Sequence, residues 1–168
     1  DNNKIEKFSF RNKDEIKKLK KIIRNKKFNI SDISSKVINR NPSGPFTTST
    51  LQQTASSRLG FGASRTMQIA QKLYQGVEIE GETIGLITYM RTDGTNLSKD
   101  AVSAFRNYIK NEIGNNYLPE NPLNYSGKKA KNAQEAHEAI RPTDIVRSPQ
   151  DVKKYLSPDQ NKLYNLIW

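Results

Sequence analysis

Cysteine is absent from the 168 residues. That excludes a disulfide framework, a thiolate metal site and a cysteine nucleophile, and it is compatible with a reducing compartment. Long apolar runs are missing too: nothing approaches the roughly 18 continuous apolar residues of a membrane span, and the charged start has no signal-peptide core. The expectation is a soluble, cytoplasmic protein with no membrane partner. Acidic residues are scarce, 17 against 28 basic ones. No Asp-x-Asp pair or other cluster of carboxylates has metal-ligand spacing, so the sequence offers no metal site. At 34% hydrophobic residues, the chain is long enough for one domain with a lean core, or for one domain and a piece of another.

Positive charge is what the sequence does have, and it is unevenly placed. Residues 1 to 40 carry 13 Lys and Arg against 5 Asp and Glu, a net of +8, whereas the remaining 128 residues carry 15 against 12, a net of +3. Such a surplus favours a polyanionic partner, because each neutralised phosphate releases condensed counterions. The run Lys13 to Lys27 reads equally well as a solvated helix face.

Along the chain, Phe8 and Phe10 alternate as a short strand would. Asn12 and Glu15 then form a helix start ahead of Ile16, Leu19, Ile22 and Ile23. Phe28, Ile30, Ile33, Val37 and Ile38 suggest one or two further strands. Asn41-Pro42-Ser43-Gly44-Pro45 breaks regular structure and marks a domain boundary. A helix from Ser49 with Leu51, Ala55 and Leu59 on one face ends at Gly60. A second, capped by Ser64, carries Met67, Ala70, Leu73 and Tyr74 and ends at Gly76. Val77–Glu82 and Thr83–Thr88 then alternate about a Glu-Gly-Glu turn as a hairpin, so that the order is helix-turn-helix followed by a wing. Ser98 opens a helix closed by Gly114, residues 115–132 form a polar loop, and Gln134 to Ile140 reads as a helical turn stopped by Pro142. Ser148-Pro149 and Ser157-Pro158 start two more helices. The fold class is mainly α with a small β component (α+β). Both ends look cut, as in a piece of a longer chain.

The most informative stretch is Gly85-Leu86-Ile87-Thr88-Tyr89-Met90-Arg91-Thr92-Asp93. A phenol on a rigid strand end with a guanidinium two residues on suits attack on a phosphodiester, one group as nucleophile and the other offsetting the phosphorane charge. The same spacing also describes an edge-strand tyrosine beside a surface arginine.

Three stretches, taken in order, carry a resemblance: Pro45-Phe46-Thr47-Thr48-Ser49-Thr50-Leu51-Gln52-Gln53, Gly85 through Asp93, and Glu135-Ala136-His137-Glu138-Ala139-Ile140-Arg141-Pro142-Thr143. Together they resemble the type IA DNA topoisomerases of bacteria, closely over residues 42–168 and loosely before them. The likeness implies an isomerase, a DNA-binding strand-passing enzyme that acts on single-stranded and negatively supercoiled DNA. Its tyrosine leaves a 5′-phosphotyrosine and a free 3′-hydroxyl. Tyr89 matches the nucleophile and Arg91 the arginine beside the scissile phosphate, so Tyr89 and Arg91 are the catalytic candidates. Arg91, His137, Arg141 and Arg58 are the DNA-binding ones, although Arg141 has Glu138 three residues back as an alternative partner.

The resemblance further implies a partial arch segment over residues 1–41, a winged-helix-like catalytic-tyrosine domain over 42–156, and the start of a return helix to a β-rich arch over 157–168. In that family a Toprim domain holds Mg²⁺ and assists the phenol, which free in solution keeps its proton to about pH 10. None of those ligands is expected in this chain, which is therefore expected to be inactive alone. The implied setting is a monomer in the bacterial cytoplasm, on the nucleoid, with the other domains of its own chain as partners. Where the family usually has serine, this chain has Gly94, so a hydroxyl contact there does not carry over. The rival reading is a basic winged-helix nucleic-acid-binding module in which Tyr89 is structural.

Overall fold

The computed structural model describes residues 6, 9, 10, 12–38, 42–125 and 138–168. The chain divides into two compact units, Asp1–Asn41 and Pro42–Trp168; among the described residues it is mainly helical with one two-stranded sheet.

In the first unit, helix α1 (Lys13–Arg24) starts at Asn12, whose side chain accepts the Asp14 N–H. Acidic residues sit in its first turn and basic ones in its last, matching the helix dipole. No residue of α1 is buried. The strands expected on either side are not formed among the described residues. Ser9 N–H closes a turn onto the Glu6 carbonyl at 3.1 Å; Phe8 lies outside the described residues. Phe28, Ile30, Ile33, Val37 and Ile38 are 72% to 89% exposed in irregular chain. A strand gains stability only from a paired neighbour, and residues 27–38 have none among the described residues.

The second unit holds the core. Helix α2 (Thr48–Leu59) begins two residues earlier than Ser49 as a cap would place it. A capping box joins Thr47 and Thr50, and Gly60 closes the helix in the left-handed conformation at φ 68°. Helix α3 (Ala63–Gln75) starts from Gly62 without a side-chain cap, so Ser64 is not its cap. The hairpin of strands β1 (Val77–Ile79) and β2 (Glu82–Ile84) turns on Glu80 and Gly81, both at positive φ, as a two-residue loop requires.

Strand β2 ends at Ile84 rather than at Thr88, because the next backbone groups are taken elsewhere. Leu86 N–H donates to the Leu73 carbonyl of α3, and Thr88 N–H donates to the Arg141 carbonyl. Helix α4 (Lys99–Tyr108) is capped by Ser98 and runs into a π-helical turn, Ile109–Ile113, that stops at Gly114. The expected helical turn before Pro142 falls partly outside the described residues. Its described end is extended, with Ile140 bridged to Phe46. Helices α5 (Pro149–Val152) and α6 (Pro158–Ile167) start with proline after Ser148 and Ser157.

Leu51 and Ala55 of α2, Ile69, Ala70 and Leu73 of α3, Leu163, Tyr164 and Ile167 of α6 and the connecting residues Leu86, Ile87, Met90 and Ile140 form one buried cluster. Burial pushes the Tyr164 phenol up to about 12, with Asp144 reinforcing and Arg147 opposing the shift. Its hydroxyl donates to the Arg147 carbonyl at 2.7 Å.

Candidate active site

Residues 88 to 94 belong to no helix or strand and bend at Thr88 and Met90, yet their burial alternates. Met90, Thr92 and Gly94 are buried; Tyr89, Arg91 and Asp93 are exposed. A period of two places Tyr89 and Arg91 on one side of the segment. The Tyr89 ring is 38% exposed and lies edge-on to Tyr74, with centroids 5.3 Å apart. The phenol therefore belongs to the surface and not to the hydrophobic interior.

Two sets of hydrogen bonds fix the segment. On one side is the first turn of α2: Thr92 N–H donates to Thr48 Oγ1 at 2.8 Å, Thr48 N–H donates to the Thr92 carbonyl at 2.8 Å, and Thr48 Oγ1 reaches the Met90 carbonyl at 2.8 Å. On the other side is the stretch from Glu138 to Thr143. Thr88 Oγ1 donates to the Ala139 carbonyl at 2.6 Å and accepts the Arg141 N–H at 3.0 Å. Thr143 N–H donates to the Leu86 carbonyl, and Thr143 Oγ1 to that of Gly85 at 2.7 Å. Gly94 N–H donates to Thr92 Oγ1 at 3.0 Å, which turns the chain away beyond the site.

The same stretch ties down α4. Ser98 N–H donates to Glu138 Oε1 at 2.6 Å, and Ala139 N–H to the Asn96 carbonyl. Arg141 is committed to this scaffold: its Nη2 and Nε bond the two Glu138 oxygens at 2.7 and 3.0 Å, and its Nη1 bonds the Pro142 carbonyl at 2.8 Å. Of its two candidate partners, phosphate and Glu138, the Glu138 carboxylate is in contact with it. Burial raises the Glu138 pKa, but the hydrogen bonds from Arg141 and Ser98 and the charge of Arg141 together outweigh burial and hold it below the usual carboxylate range.

Arg91 is exposed and lines two hollows. One, of about 790 Å³, runs along α3 past Arg65, Gln68, Lys72 and Gln75; the other, of about 400 Å³, lies against Thr47, Thr48 and Ser49. Arg65 is paired with Asp159 and lies 4.6 Å over the Phe61 ring. Arg58 sits in the last turn of α2, roughly 15 Å along that helix from the Thr48 end at 1.5 Å per residue, so it is not part of the Arg91 surroundings. His137 lies outside the described residues. Among the described residues no three of His, Cys, Asp and Glu converge as a metal site. The Mg²⁺ implied by the resemblance therefore finds no ligand set among them. Sequence reasoning missed Thr48 and Thr88 as supports, and it named Glu138 only as a partner of Arg141 and not of Ser98; each stood inside a motif, but nothing local shows which backbone a side chain will reach.

A protein-family model described as "DNA topoisomerase" matches residues 1–168. The chain belongs to the DNA topoisomerase family. It is 54% identical over 165 residues to "DNA topoisomerase 1" of Rickettsia bellii, covering 98% of this chain and 20% of that protein. Against "DNA topoisomerase 1" of Campylobacter jejuni it is 49% identical over 168 residues, covering 100% of this chain and 24% of that protein. Full-length topoisomerase I from Thermotoga maritima is structurally similar, with a TM-score of 0.64 and 48% identity over 76% of this chain and 19% of that one. The chain thus spans about a fifth of the length of the relatives it matches.

Proposed function

We propose that this segment supplies the nucleophile of a type IA topoisomerase. The Tyr89 phenolic oxygen attacks a phosphodiester of single-stranded DNA, forming the phenol–phosphorus bond. The bond to the 3′-oxygen breaks, and that oxygen leaves as a hydroxyl, taking up a proton as the phenol gives one up. The product is a 5′-phosphotyrosine, and the reverse step reseals the strand after another has passed, relaxing negative supercoils. Arg91 neutralises charge on the non-bridging oxygens, for which a planar guanidinium fork is well shaped.

The observation that carries this reading is the alternation about Met90: Tyr89 and Arg91 face solvent together while Met90 and Thr92 are buried between them and beyond. Family membership supports it, as does the helix, glycine turn, helix and hairpin order of a winged-helix-like unit. No step is assigned to a metal, since the described residues offer no ligand set. The isolated segment is accordingly proposed to be inactive, completed in the parent by a Toprim domain holding Mg²⁺, in a monomeric cytoplasmic enzyme working on the nucleoid. No helix among the described residues is long and apolar enough to cross a membrane.

The rival, a binding module with a structural Tyr89, needs a cationic recognition helix. Helix α3 carries only Arg65 and Lys72, and Arg65 is paired with Asp159. The test is Tyr89→Phe in a full-length topoisomerase carrying this segment. It should abolish covalent adduct with single-stranded DNA while non-covalent binding stays within a few-fold; relaxation at the wild-type rate would favour the rival.

A further inference from the structure

Tyr74 lies on the surface of the last turn of α3, 40% exposed, with its ring at 64° to that of Tyr89 and the centroids 5.3 Å apart. This is the edge-to-face geometry that aromatic pairs prefer. The backbones carrying the two rings are bound to each other just beside the pair. Leu86 N–H donates to the Leu73 carbonyl at 2.8 Å. A Cβ on Gly85 would stand 2.7 Å from the Tyr74 carbonyl oxygen, so this approach is open to glycine alone. Helix α3 is anchored in turn by Ile69, Ala70 and Leu73 in the core. The relation between the rings is thus built on a rigid helix and a backbone junction.

We infer that Tyr74 is a positioning residue for Tyr89, holding the nucleophile's ring by its edge-on contact. The inference rests on the reading of Tyr89 as nucleophile. An attacking oxygen must be held near 3–3.5 Å from phosphorus and in line, and a misplacement of about 1 Å costs on the order of a hundredfold in rate. Tyr89 is not enclosed by the core, so its ring depends on surface neighbours for that restraint. The Tyr74 ring supplies such a restraint, and its hydroxyl plays no part. Phenylalanine should therefore replace it, whereas leucine should not.

The first arm uses this chain with ring-labelled tyrosine, the Tyr89 resonances being assigned by their loss in Tyr89→Phe. The Tyr89 ring signals should carry a ring-current shift that Tyr74→Phe keeps and Tyr74→Leu removes. In a full-length topoisomerase carrying the segment, Tyr74→Leu should slow adduct formation at saturating DNA by about tenfold or more, with the dissociation constant for DNA unchanged within twofold. Tyr74→Phe should restore the rate. Should Tyr74→Leu fail to fold, Tyr74→Met removes the ring by an unbranched route. An adduct rate untouched by the loss of the ring, with Tyr89→Phe inactive, overturns the positioning role alone. An adduct that persists in Tyr89→Phe overturns the nucleophile and its positioning together.

Discussion

Thr48 and Thr92 exchange hydrogen bonds. Each backbone N–H finds an oxygen of the other residue at 2.8 Å, the Thr48 hydroxyl for one and the Thr92 carbonyl for the other. Two residues far apart in sequence are thereby locked in register, and Met90 and Arg91 are locked with them. Thr48→Val removes the hydroxyl that also reaches the Met90 carbonyl. It should destabilise the unit by about 1–3 kcal/mol, the cost of stranding buried polar groups. Thr48→Ser should recover most of that in a urea-unfolding series.

Arg91 is predicted to act on the rate and not mainly on DNA affinity. Removing one oxyanion-stabilising donor costs on the order of 100- to 1,000-fold in turnover. Arg91→Ala in the full-length enzyme should show that loss at saturating DNA. Arg91→Lys should recover only part of it, since an ammonium keeps the charge and loses the fork. Single-turnover cleavage of an oligonucleotide measures both.

The Glu138 carboxylate fixes the sign of an acid effect. Its folded pKa is depressed, with the Arg141 and Ser98 hydrogen bonds outweighing burial. The stability it confers is present above the unfolded carboxylate value of about 4.3 and is lost as pH falls through the lower folded value. Glu138→Gln should therefore cost stability at pH 7, by about 1.5–3 kcal/mol for charged hydrogen bonds. The gap to wild type should narrow below pH 4.

At the other end of the scale, Tyr164 titrates near 12, raised by burial first and then by Asp144. A raised folded pKa means that its contribution is intact below the unfolded value of about 10 and is lost as pH climbs from there through about 12. Among the tyrosines followed at 295 nm, one should ionise last and together with unfolding. That one should vanish in Tyr164→Phe.

Much of this was legible in the sequence. Capping residues and prolines placed the starts of α1, α4, α5 and α6, and glycines placed the ends of α2 and α3, because those signals act within one turn of chain. Tyr89 and Arg91 share a face for the same local reason, a period of two. The misreadings came from partners that lie far off in sequence. The apolar residues from Phe28 to Ile38 have strand composition but no strand beside them among the described residues. Strand β2 stops at Ile84 because Leu86 and Thr88 bond α3 and the Arg141 stretch. The cap of α2 moved from Ser49 to Thr47 where several hydroxyls compete. The commitment of Arg141 to Glu138 was one of two readings that spacing left open.

The segment's own chemistry has a direct negative test as well. Incubated alone with single-stranded DNA and Mg²⁺, this chain should give no covalent adduct on a denaturing gel. A detectable adduct would mean that the phenol needs no partner domain.

The central claim is that a phenol–phosphate bond forms at one position. A full-length topoisomerase carrying this segment, trapped on labelled single-stranded DNA, digested with protease and sequenced by mass spectrometry, should yield the nucleotide on the peptide spanning Gly85 to Arg91, attached to Tyr89. Attachment at Tyr74, or at any residue other than Tyr89, would contradict the account.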